Sequence, residues 1–178
     1  MGNFVTKNKL SIYGGTFTFV TLGLAVFVLG NLSGYEAKQL IEASLSGINM
    51  LCNTIVLASA TILTLLLTLL GISSGSTSKL KEAHYLQVLN IAKWDTVLFV
   101  AALILFQLFN IPITESENVP TQWYSYLYWA TLFFSSALSG LMVAVILLLY
   151  STVVNIITIV GLGEDHYLVS DGEVKEDE

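Results

Sequence analysis

Apolar residues run through this chain in blocks, separated by short polar segments, and the blocks are too long for the helices of a soluble domain. Crossing a hydrocarbon core of about 30 Å takes roughly 20 helical residues, and four stretches reach that length. They cover residues 10–32, 48–72, 94–113 and 123–148, the last running on in apolar character to 162. The pattern predicts an all-α integral membrane protein with four transmembrane helices in one domain spanning 1–162, followed by an acidic tail at 163–178. No small-residue cleavage site follows the first stretch, so it is read as a retained span.

Two polar-apolar segments between the spans carry helical periodicity. Over residues 35–46, Ala37, Leu40, Ile41 and Leu45 fall on one side and Glu36, Lys38, Gln39 and Glu42 on the other. That division predicts a short amphipathic helix lying at the membrane interface between helices one and two. Over residues 78–95, Leu80, His84, Val88, Ile91 and Asp95 form a stripe at spacings of three and four. No glycine or proline separates this stripe from the third span, so it reads as a cytoplasmic extension of that helix over 78–94. The surplus length of the fourth, over 149–162, projects to the same side.

Lysine placement orients the spans. Lys7, Lys9, Lys79, Lys81, Lys93 and Lys175 share one side under a four-span topology, while Lys38 stands alone on the other. Basic loops stay in the cytoplasm, which puts both termini there. Trp123, Tyr124, Tyr126, Tyr128 and Trp129 then form an aromatic cluster at the outer headgroup level.

Composition agrees with the pattern. The 178 residues are 54% hydrophobic and 11% charged, with a formal net charge of -6, where soluble domains carry about 25% charged residues. There is no arginine, and nucleic acid is excluded as a partner because phosphate neutralisation needs clustered basic side chains. The expected partners are the lipid bilayer, further copies of this chain and a cytoplasmic protein. Cys52 is the single cysteine, so no disulfide framework and no cysteine-based metal quartet exists.

The second span carries the most informative polar pattern. At 100° per residue, Asn53, Thr54, Thr61, Thr64 and Thr68 occupy an arc of about 100°, with Asn49 and Gly71 at its edge. Polar groups facing lipid are costly, so the stripe is expected to face other helices or a wet lumen. In the fourth span, Ser136, Gly140 and Ala144 follow the small-xxx-small pattern that lets two helix backbones approach closely.

Candidate chemistry is sparse. The segment EAHYL at 82–86 returns as EDHYL at 164–168, and these hold both histidines. Glu82, His84, Asp95, Glu164, Asp165 and His166 therefore form a candidate cytoplasmic ion or docking cluster. Glu82 and His84 lie about 200° apart on a helix and cannot both ligate one ion. Docking of the tail through histidine-carboxylate pairing is the simpler reading, and no metal or cofactor is assigned. The membrane segments show no nucleophile beside a base, no zincin pattern and no phosphate-binding loop, so an enzyme is not expected. With Asp95 read as lying at the cytoplasmic boundary, the spans also lack the intramembrane ionisable group of a proton-coupled transporter. The sequence points to a homo-oligomeric channel-like or transport-related assembly, with a non-catalytic membrane subunit or scaffold as the alternative.

Overall fold

The computed structural model describes residues 9–27, 34–75, 82–111 and 120–157. Among them the chain is wholly helical, as α1 (Lys9–Phe27), α2 (Gly34–Gly75), α3 (Glu82–Phe109) and α4 (Thr121–Ile156). At a rise of 1.5 Å per residue, the 42 residues of α2 extend about 63 Å and the 36 of α4 about 54 Å, both well beyond a hydrocarbon core of about 30 Å. α2, α3 and α4 are each long and apolar enough to cross a membrane, over Tyr35–Gly71, Tyr85–Phe109 and Gln122–Ile156.

α2, α3 and α4 pack on one another, and α1 lies against α4. On α2 the buried positions from Ile48 onward are Ile48, Cys52, Ile55, Ser59, Ile62 and Leu66; on α3 they are Val88, Ile91, Asp95, Leu98 and Ala102. Both series alternate steps of three and four, the 3.5-residue repeat that keeps a seam facing its neighbour along left-handed, knobs-into-holes packing. The two helices run antiparallel. Asn49 Nδ2 of α2 donates to Asn110 Oδ1 just beyond the end of α3, 3.3 Å away, while the groove between Leu66, Leu67, Leu70, Tyr85, Val88 and Leu89 joins their opposite ends.

α3 stops because the Asn110 side chain turns back to donate to the Phe106 carbonyl and Pro112 follows. α4 begins after Pro120, whose fixed φ of -58° suits a helix entry and whose carbonyl accepts the Trp123 N–H at 2.9 Å.

The α1–α4 contact is built on missing side chains. A Cβ on Gly15 would stand 2.8 Å from the Gly140 carbonyl oxygen, and one on Gly140 would stand 2.8 Å from the Gly15 oxygen. Ala144 completes the close approach, with its Cβ 2.9 Å from the Gly15 position. Phe19 and Phe133 meet edge to face beside this crossing, with ring centroids 5.8 Å apart.

The segment at 35–46 departs from the expected separate helix. It forms the opening turns of α2, continuous with the second span. Its apolar face is the expected one, but Ala37 and Ile41 are buried against Tyr124 and Tyr128 of α4, with Leu40 and Leu45 alongside. Lys38 places its ammonium 5.6 Å from the Tyr124 ring centroid. The aromatic cluster is correspondingly divided, since Trp123 and Tyr126 face outward while Tyr124 and Tyr128 belong to the core.

The surface, unlike that of a soluble protein, is largely apolar, and a few polar groups lie within the apolar core. Tyr13, Phe17, Leu57, Leu67, Leu89 and Ile104 are among many large apolar side chains on the outside, whereas Ser11, Ser59, Asp95, Thr131, Ser136 and Thr152 are buried. A surface so rich in exposed hydrocarbon requires lipid or protein around it.

Candidate functional site

Two polar regions stand out, one on the outside of α2 and one inside the bundle. The outer region is the expected stripe. Asn53, Thr54, Thr61, Thr64 and Thr68 are all exposed, on the side of α2 away from the seam of Ile55, Ser59, Ile62 and Leu66. Periodicity alone dictates this: a helix that turns its 3.5-residue apolar seam inward presents the intervening positions outward. Each threonine hydroxyl donates to the carbonyl four residues back, Thr54 to Met50 at 2.8 Å, Thr61 to Leu57 at 3.0 Å, Thr64 to Ala60 at 3.0 Å and Thr68 to Thr64 at 3.1 Å. Such bonds neutralise a hydroxyl inside its own helix. Asn53 has no bond of this kind among the described residues, so its amide projects from the bundle with both donors and its acceptor open.

The inner region centres on Asp95, which the sequence suggested at the cytoplasmic edge. Asp95 lies near the middle of α3, fully buried, with Val88 and Ile91 on one side along the seam and Leu98 and Ala102 on the other. The flanking Lys93 and Trp94 gave the residue the look of a boundary, yet both are exposed while Asp95 continues the buried series. Ser59 of α2, also fully buried, stands beside the carboxyl. The Ser59 hydroxyl is within reach of the carboxyl but closes no hydrogen bond of regular length and angle with it, and neither Asp95 oxygen has another partner among the described residues. A buried carboxylate without a full set of partners is costly, so three polar atoms left unpaired in one buried spot are unusual.

One helical stretch away, the same α3 face shows a satisfied polar contact. Gln87 Nε2 donates to Thr152 Oγ1 of α4 at 2.9 Å, and Thr152 in turn donates to the Leu148 carbonyl at 3.0 Å. Sequence reasoning missed both Ser59 and the Gln87–Thr152 pair, because a lone serine or threonine in an apolar run carries no signal until its facing helix is known.

The remaining candidates separate. Glu82 and His84 stand in the first turn of α3, and Asp95 is eleven positions further along the helix than His84, a rise of about 16 Å. Glu164, Asp165 and His166, like the acidic tail at 163–178, fall outside the described residues. Among the described residues no three His, Cys, Asp or Glu side chains come together as a metal ion would require. Ser136, Gly140 and Ala144 lie on α4, with Gly140 and Ala144 at the α1 crossing and Ser136 beside Phe19 and Gly23.

Two hollows open on the surface. One of about 220 Å³ lies between α2, α3 and α4 near Ile41, Leu105, Phe109, Leu127 and Phe134. The other, about 440 Å³, lies between α2 and α3 near Leu63, Leu67, Tyr85 and Leu89. Both are walled almost wholly by hydrocarbon and suit acyl chains better than a polar solute.

These features define a helical protein with three membrane-span candidates, and no narrower class. No protein-family model matches the chain, and neither the curated proteins nor the solved structures compared with it give a match.

Proposed function

We propose that this chain is the subunit of a homo-oligomeric, channel-like membrane assembly in which the polar face of α2 is turned toward other copies and lines a path between them. The observation that supports this reading is the exposure of Asn53, Thr54, Thr61, Thr64 and Thr68 on one outer side of α2. Lipid provides no partner for the open Asn53 amide, whereas the same residue on a neighbouring copy does, and interhelical amide bonds of this kind join membrane helices. Identical subunits that associate through one helix face close most simply as a ring. The interior of a single bundle is filled by its two apolar seams, so a path belongs between subunits rather than within one.

In the same reading the chain crosses the bilayer four times with both termini in the cytoplasm, following the lysine distribution. The surplus lengths of α3 and α4 then form a cytoplasmic layer, and the opening turns of α2 lie at the outer interface.

A second reading rests on a different observation. Because the four threonine hydroxyls are already bonded within α2, that face also tolerates a dry contact with another membrane protein. The chain would then be a non-catalytic subunit that anchors a cytoplasmic partner through the acidic tail and the outward positions of the 78–95 segment, Leu86, Leu89 and Trp94 among them, since Val88, Ile91 and Asp95 are buried in the seam. Reconstituted, purified protein distinguishes the two. The channel reading expects ion flux across liposomes that Thr64→Leu abolishes, together with a mass of several copies in nanodiscs. A monomer without flux, unaffected by Thr64→Leu, leaves only the anchoring subunit.

A further inference from the structure

We propose that Asp95 and Ser59 form a proton-binding site in the interior of the bundle, with the proton shared from the carboxyl to the serine oxygen. The argument begins with geometry. Both side chains are fully buried, the Ser59 hydroxyl lies within reach of the carboxyl across the α2–α3 seam, and yet Asp95 Oδ1, Asp95 Oδ2 and Ser59 Oγ close no hydrogen bond of regular length and angle. Buried oxygens in this state are rare and call for a ligand.

The surroundings exclude a compensating protein charge. α2 has no charged residue between Glu42 and its end at Gly75, and α4 has none over its whole length. On α3 itself, Lys93 is exposed and lies about 200° around the helix from Asp95, while Glu82 and His84 belong to the first turn. The other titratable groups on these helices are also remote. Cys52 is two turns from Ser59 along α2, Tyr85 and Tyr150 are exposed, and Tyr124 and Tyr128 belong to the separate cluster around Ala37.

Ligand chemistry then selects among cations. A metal ion such as calcium takes six to eight oxygen ligands, and magnesium takes about six. Asp95 and Ser59 supply three oxygens between them, in a seam otherwise packed with hydrocarbon. A proton needs a single oxygen. Once bound, it converts the carboxyl into an O–H donor, and Ser59 Oγ becomes its acceptor. One particle thus joins one carboxyl oxygen to the serine and removes the buried charge. Position gives the site consequence, since proton relays are among the roles that ionisable groups take inside membrane bundles. The site faces inward and the α2 stripe faces outward, so this inference does not depend on assembly around a path.

Infrared spectroscopy of the full chain in liposomes tests it. The wild type is expected to show a protonated-carboxyl C=O stretch near neutral pH that Asp95→Asn removes. Ser59→Ala should shift that band to higher frequency by deleting its hydrogen bond, a change that loosened packing alone would not produce. Carbon-13 labelling of aspartate assigns the band even if a variant does not fold. The band should be indifferent to added sodium or calcium ions. A wild-type spectrum in which aspartate contributes carboxylate bands only overturns the proposal, and loss of the protonated band on adding either ion overturns it in favour of a metal-cation site.

Discussion

Gly15 and Gly140 meet backbone to backbone, each occupying the place where the other's Cβ would project. Neither partner has a flexible side chain to move, so added atoms must push the helices apart. Gly140→Ala is therefore expected to destabilise the fold by about 1–3 kcal/mol, the usual cost of overpacking. Thermal unfolding in detergent measures it; an unchanged midpoint would show that α1 is not held there. The spacing of Ser136, Gly140 and Ala144 announced a close helix contact, but a motif on one helix cannot name its neighbour, and Gly15 emerges only from the packing. Asp95 illustrates the opposite difficulty. Its place in the stripe with Val88 and Ile91 was readable, and Leu98 and Ala102 extend that stripe in the sequence. Lys93 nevertheless drew the apparent edge of the span to its neighbour Trp94, because local charge hides a buried register that only the facing helix reveals.

Among the elements, α2 combines three duties along one continuous helix. Its opening turns pack on α4, its seam packs on α3, and its polar stripe remains outside. The stripe itself was legible from periodicity, but which side of the bundle it would face was not, since polar residues in membrane helices serve packing and lumen alike. Exposure separates the effects of substitution. Thr64→Leu should alter the stability of a single bundle by less than about 0.5 kcal/mol, as surface changes do, while removing assembly and flux; a large fall in the monomer's unfolding midpoint would contradict that placement. The 35–46 segment carries a related lesson. Amphipathicity identified its apolar face correctly, yet cannot tell a lipid surface from a protein one. Ala37, fully buried beside Tyr124 and Tyr128, makes this testable. Ala37→Leu should cost about 1–3 kcal/mol through overfilling, and should loosen the opening turns of α2, seen as faster amide exchange at 35–45. A helix lying free at the interface would tolerate leucine without either change.

At the scale of the molecule, the fold is a hydrocarbon exterior around a core that holds its few buried polar groups. The length and composition of the apolar blocks made three of the spans evident, because the need to satisfy backbone groups in lipid leaves little choice but helices. The arrangement of those helices was beyond periodicity, since each presents more than one face that would pack. The proposed assembly would give the two polar regions distinct roles, Asp95 and Ser59 inside each subunit and the α2 stripe between subunits. In-membrane disulfide cross-linking of Thr61→Cys tests that division most directly, and Cys52 can remain because it is fully buried. The account predicts a covalent dimer between subunits at Thr61→Cys that is absent from a cysteine at the exposed Leu89 on α3. Equal cross-linking at both positions, or none at Thr61→Cys in membranes where the protein is folded, would contradict it.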